Sequence, residues 1–387
     1  MAMDINIEKI LDKNITIAIN DIFSSTEKFK RFLSLCANFT NMDYRNIALI
    51  YKQHGHRCSA VAGKGYIEKE KGKGFIEKKN EEAKQYNKTH TPQGYEGELR
   101  SLHKPIILLL PEVIEEGNKK EIKNLPVEVY SLREMGLYKT PFTHRGWELS
   151  ECVIEAFKNS DTVEIELIDE ELDMADDAYD EALETLSPDE ASRGMVIFSD
   201  DDINNKLVIS KDDENIENMR ALIDLYVDYR LSTLLSNSTY DNSVCDAVKY
   251  TVYCFFEIEK KNDKIAGFGD EVYVNRFFDN NTTFEDYIFQ IKEYAALIIS
   301  EMVEATISFA ETNYLNYVVN SDKKEDILKS VAELRDKLSN NGKYDFMVLE
   351  RKLNANSDNT LKEIYDKVHT GSLYSYPLFC IDKPRIE

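Results

Sequence analysis

Histidine is scarce in this chain, and the six present are poorly placed for metal chemistry. They stand at His54, His56, His90, His103, His144 and His369, and the whole stretch between the last two contains none. That stretch also lacks a clustered set of thiols, which excludes an ordinary zinc site within it. The six cysteines, Cys36, Cys58, Cys152, Cys245, Cys254 and Cys380, are scattered and form no CxxC pair. They read as small buried hydrophobes in a reducing compartment. Long apolar runs are missing as well. The longest, Ile106 to Leu110 and Ala295 to Ile299, fall far short of the roughly 18 to 20 residues that a membrane span needs, and no membrane partner is expected. The opening MAMDINIEKILDK has no basic start followed by an apolar core. No secretion signal is read there, and a cytoplasmic location is expected. A G-x-x-x-x-G-K-[ST] loop, a glycine-rich nucleotide fingerprint and a nucleophile–base set are all lacking.

What is present fits a globular protein. A chain of 387 residues, 42% hydrophobic and 31% charged, is long enough for two or three domains with solvated helices. Charge is unevenly spread. Residues 1–150 hold 24 basic and 20 acidic side chains, leaving 24 basic and 51 acidic for the remainder, a net of −27. Such asymmetry is read either as two surfaces with different partners or as plain acidic solubility. His54, His56 and Cys58 lie within five residues, but their spacing is that of a polar turn more than of a metal site.

Apolar spacing predicts helices through residues 5–52, with Phe29, Phe32, Leu33, Cys36 and Phe39 on one face and Ser24, Ser25 or Thr26 as a cap. From Ser59 onward glycines punctuate a lysine-rich segment, read as short strands and turns with a mobile loop from about Asn80 to Ser101. IILLL reads as a buried strand ended by Pro111, and Val127 to Tyr130 as another. A helix is expected over Trp147 to Asn159, and a solvated acidic helix face over Asp161 to Asp189. Two strands, Gly194 to Phe198 and Lys206 to Ser210, follow. Helices are expected over Asn215 to Leu235, Ser243 to Glu259 and Phe284 to about Tyr317, with a helical tail. The Asp200-x-Asp202-x-Asn204 turn lacks the glycine and the final glutamate of a calcium loop and is not read as one.

Two stretches carry a resemblance. The order FLSLCANF, YRNIALIYKQ, AVAGKGY, KPIILLLP, VEVYSLREMG resembles the N-terminal, single-stranded-DNA-binding domain of ArdC- and LtrC-type antirestriction and conjugation proteins of plasmids and phages. Asn46 and Gln53 fall on that pattern. Met42 and Asp43 depart from its Tyr-Ser, Ile67 stands where its Trp would be, and its basic turn is displaced. The order GMVIF, KLVIS, MRALIDLYVDYRL, VCDAVKYTVYCFF resembles the zincin-type metalloprotease domain of the same proteins. On that pattern Asp224 and Asp228 stand at the two histidines of H-E-x-x-H, Leu225 at its glutamate and Asp246 at the third ligand. The resemblance therefore implies a metalloprotease domain without imidazole ligands or a general base, and a protein that is not an enzyme. Asp224, Asp228 and Asp246 remain open to three readings: a solvent-facing acidic stripe, a hydrogen-bonded structural role, or an oxygen site for Mg²⁺ or Mn²⁺.

The expected fold is α+β. A small mixed N-terminal domain (1–150) is followed by a mostly helical, degenerate zincin-like domain (151–265) and a helical C-terminal extension (266–387). No cofactor is expected. One expected function is a non-catalytic phage or plasmid accessory protein that binds single-stranded nucleic acid. Lys64, Lys69, Lys71, Lys73, Lys78 and Lys79 would follow the phosphates, with Tyr66 and Phe75 stacking on bases. The alternative is an acidic, DNA-mimicking module that blocks a host defence nuclease or restriction protein through the block from Asp161 to Asp189 and the run from Asp212 to Glu217.

Overall fold

The computed structural model describes residues 2–40, 42–90, 102–116, 119–137, 146–158, 163–168, 194–197, 206–212, 214–234, 242–258 and 284–312. These are mostly helical, with two small three-stranded sheets. They fall into two compact units. The first holds residues up to 137 together with 284–288, and the second holds 146–258 together with 289–312.

The first unit opens with three helices, α1 (Ala2–Ile22), α2 (Thr26–Asn38) and α3 (Tyr44–His54). Ser25 caps α2, its hydroxyl accepting from Lys28 N at 3.3 Å, and Asp43 caps α3 by accepting from Arg45 N at 2.8 Å. The α2 face foreseen from periodicity is buried: Phe29, Phe32, Leu33, Cys36 and Phe39 are all at most 3% exposed. Phe23 and Phe284 stack at 4.2 Å in this unit.

Strands β1 (Val61–Gly63), β2 (Ile106–Glu116) and β3 (Lys119–Ser131) form an antiparallel sheet of order β1-β3-β2. The expected end of β2 at Pro111 is corrected, because the strand runs on to Glu116. The register explains why. Ile107 and Leu109 turn their backbone groups away from β3, toward side chains of α3, so Pro111 lies at the same outward parity and costs no ladder bond. Pro126, opposite Leu109, is outward-facing from β2 for the same reason.

The lysine-rich segment also departs from expectation. Beyond β1 it is not strand and turn but two helices, α4 (Lys64–Lys71) and α5 (Phe75–Thr89), and residues 91–101 of the foreseen loop lie outside the described residues. The glycines separate helices here. Gly72 (φ 98°) and Gly74 (φ 76°) take the left-handed backbone that turns the chain between them. Lys and Glu are good helix formers. Ile67 on α4 and Ile76 on α5 bury one side of each helix against Tyr130 and Met135, with Phe75, Leu132 and Leu137 packed around them.

In the second unit, β4 (Glu164–Ile168), β5 (Gly194–Ile197) and β6 (Lys206–Ser210) form a sheet of order β4-β6-β5. The β5–β6 pairing is antiparallel, and β4 is parallel to β6. The helical reading of the acidic block is thereby corrected over residues 164–168. Val163 and Ile165 are buried and Leu167 half-buried, the period-two alternation of a strand. The rest of the block from Asp161 to Asp189, apart from Val163, lies outside the described residues, as do Asp200 to Asn204.

Helices α6 (Gly146–Lys158), α7 (Asn215–Leu234), α8 (Asn242–Phe256) and α9 (Phe284–Thr312) complete the described chain. α7 packs against α6, α8 and both β5 and β6, and its apolar residues are buried on nearly every side. A side chain at Gly194 of β5 would collide with Leu225 Cδ1 of α7 and with the Val208 carbonyl. The missing Cβ is what lets the helix approach the sheet. Of the expected C-terminal extension, residues 313–387 lie outside the described residues.

Candidate functional site

The sequence-predicted residues fall into two groups, one of them on the basic segment. On α4, Lys73 and α5, Lys64 contacts Glu77 and lies 3.8 Å from Glu68, and Lys79 lies 3.0 Å from Glu82 and 6.0 Å above the Phe75 ring. Glu68 also accepts from Gly74 N at 3.1 Å, securing the turn into α5. Three of the segment's five glutamates are thus engaged by two lysines. Lys69, Lys71, Lys73, Lys78, Lys84 and Lys88 are exposed and have no carboxylate partner among the described residues; on the acidic side only Glu70 and Glu81 are similarly unpaired.

The aromatic members behave differently from one another. Phe75 packs on the Ile67–Ile76 cluster, and Tyr66 is half-buried, with burial and then Glu70 pushing its hydroxyl above the ordinary range. Asn46 and Gln53 are taken up by the sheet. Asn46 Oδ1 accepts from Leu109 N at 2.8 Å and its Nδ2 donates to Leu109 O at 2.7 Å. Gln53 Oε1 accepts from Ile107 N at 2.9 Å and its Nε2 donates to Ile107 O at 2.8 Å. Seven residues apart on α3, the two amides bond alternate residues of the outer edge of β2. At 5% exposure Asn46 is closed to any ligand.

His54, His56 and Cys58 do not converge. His54 Nε2 lies 3.1 Å from Glu134 Oε1, and His103 Nδ1 lies 3.4 Å from Glu134 Oε2. These imidazoles, His54 foremost, hold the Glu134 carboxyl below its usual range. Burial, helped by Arg31 and Arg57, lowers His56, and burial pushes the Cys58 thiol up to about 12.

The positions that the resemblance assigns to a metal site form the second group. Asp224 and Asp228 are four residues apart on α7 and face α8. Lys249 Nζ lies 2.9 Å from both carboxylate oxygens of Asp228, and Cys245 Sγ donates to the same carboxylate at 2.9 Å. Tyr253 donates its hydroxyl to the Arg220 carbonyl at 3.1 Å, and burial, with Asp224 beside it, pushes that hydroxyl well above the ordinary tyrosine range. Cys245, Lys249 and Tyr253 succeed each other at intervals of four along one side of α8. Burial works to lower Lys249, but Asp228 first and Asp224 after it outweigh that and hold its ammonium above the ordinary lysine range. Cys245 is held as a thiol by burial and by Asp228.

The Asp228 carboxylate is thus hydrogen-bonded and ion-paired across the seam between α7 and α8. An ammonium lies between the helices, and no group of three His, Cys, Asp or Glu side chains among the described residues is gathered to hold a metal ion. Leu225 faces Gly194 of the sheet and is 4% exposed. Sequence reasoning passed over Lys249, Cys245 and Tyr253. Their four-residue spacing, matching that of Asp224 and Asp228, was the available signal.

Comparison with known proteins finds no family model that matches this chain, no curated protein similar to it and no solved structure that resembles it.

Proposed function

We propose that the chain is a non-catalytic accessory protein of the kind carried by phages and plasmids, binding single-stranded nucleic acid through the lysine-bearing face of α4, Lys73 and α5. The single observation that carries this reading is the charge balance of that segment: among the described residues, six exposed lysines without a carboxylate partner against two such glutamates. A strand's phosphates are drawn to that excess, and its flexible backbone follows a convex helical surface more readily than duplex does. The absence of catalysis is supported by Leu225, which is buried at the position the resemblance gives to a general base, and by Asp228, whose oxygens are held by Lys249 and Cys245. Cys58, Cys152 and Cys245, buried as thiols, accord with a reducing cytoplasm.

The test is fluorescence anisotropy of labelled single-stranded and duplex DNA with the full chain, from about 50 to 200 mM salt. Single strands bind, and binding weakens steeply with salt, with a log–log slope of about −4 if all six lysines engage phosphates. Lys69→Glu, Lys71→Glu and Lys73→Glu together flatten that slope by about 2. A triple variant that binds with the wild-type affinity and slope rules out this face as the strand path.

A further inference from the structure

Of the rings the sequence offers for the bases, Phe75 packs on the Ile67–Ile76 cluster under Lys79 and Tyr66 is half-buried on α4. The second half of α5 carries a different pair. Tyr86 and His90 stack face to face, with ring centroids 3.9 Å apart and planes 15° from parallel. Both are half-buried at the end of the helix.

The stack is held in place by the helix end itself. His90 Nδ1 lies 2.8 Å from the Tyr86 carbonyl, which can only accept, so Nδ1 carries the proton and the tautomer is set. The Thr89 hydroxyl lies 2.9 Å from the same nitrogen and donates to the Tyr86 carbonyl at 2.8 Å. His90 N closes the helix on Tyr86 O at 3.0 Å. Neither ring has to be ordered on binding.

Helical geometry sets charge opposite this stack. Residues four apart share a flank, so Tyr86 and His90 lie along one and Lys84 and Lys88 along another, with exposed Gln85 between them and buried Ala83 toward the core. A helix is about 10–12 Å across with its side chains, which matches a single strand lying lengthwise with phosphates on one flank and bases on the other. We infer that Tyr86 and His90 form the base-stacking platform of the single-strand site, with Lys84 and Lys88 as its phosphate contacts. This rests on the single-strand reading of the face and specifies which rings touch bases.

The experiment uses the full chain and labelled oligothymidylate. Tyr86→Leu, which keeps bulk but removes the ring, weakens binding about tenfold and leaves the salt slope unchanged, while Tyr86→Phe binds as wild type. Lys84→Gln with Lys88→Gln flattens the slope by about 1.4. As a check that needs no variant, iodouracil-substituted oligothymidylate photo-crosslinks the unaltered protein at Tyr86 or His90, mapped by mass spectrometry. Wild-type affinity in Tyr86→Leu beside weakened binding in the Lys69/Lys71/Lys73 variant, or crosslinks confined to other residues, overturns the platform and leaves the basic face standing. Failure of the wild-type chain to bind overturns both.

Discussion

Replacing Lys249 by methionine takes one charge out of the seam between α7 and α8 and leaves Asp228 facing a hydrocarbon. Breaking a buried ion pair from one side costs about 3–5 kcal/mol, because the remaining charge is stranded in a poor solvent. Here the Lys249 side chain is 16% exposed but that of Asp228 is 34% exposed, so water recovers part of the loss and about 2–3 kcal/mol is expected. Cys245 still donates to Asp228, which keeps the cost from the upper end. Urea unfolding followed by far-ultraviolet circular dichroism reads the loss. Adding Asp228→Asn to Lys249→Met removes the stranded charge and restores most of the loss. The pH dependence has a definite sign. A lysine raised above its unfolded value of about 10.4 contributes fully below that value and loses its contribution as pH rises through the folded one, so wild type and variant converge in alkali and not near neutrality. A cost under about 0.5 kcal/mol, the range of an ordinary surface change, would refute the buried seam.

In the first unit, Asn46→Ala leaves the N–H and C=O of Leu109 without partners beneath α3 and is expected to cost about 2–4 kcal/mol in urea unfolding, whereas Gln53→Ala, at an exposed position, costs about 1 kcal/mol or less. Equal costs at the two positions would mean that burial does not decide the effect. Glu134→Gln removes a carboxylate whose proton affinity is depressed by His54 and His103. That contribution is present above the ordinary glutamate value of about 4.3 and lost as pH falls through the folded one, so the melting temperature of wild type falls more steeply on acidification than that of the variant. Parallel acid profiles would show that the contact is inert.

Elements governed by local periodicity were legible in the sequence. The stripe from Phe29 to Phe39 and the β5–β6 hairpin need only neighbouring residues to be recognised. The segment after Ser59 was not, because glycine marks any reversal of direction and Gly72 and Gly74 separate two helices as readily as two strands. The parallel pairing of β4 with β6 joins residues some 40 apart, and the side to which Asp224 and Asp228 turn depends on α8, which the spacing within α7 does not reveal. Asn46 and Gln53 were visible as polar residues in an apolar helix. Their use on the edge of β2 required the register of a strand more than 50 residues away.

That register has a consequence for how the protein behaves at high concentration. An edge strand recruits a foreign strand through its outward N–H and C=O groups. Along β2 those of Ile107 and Leu109 are occupied by amides of the same chain, and the next outward position, Pro111, has no N–H to offer. At the opposite margin, where β1 covers β3 only from Val129 to Ser131, Pro126 withholds a donor further along the strand. From Ile107 to Pro111 the outer edge of β2 is thus fenced against templated growth by two side-chain amides and a proline, a defence that adds no charge to a surface already crowded with it.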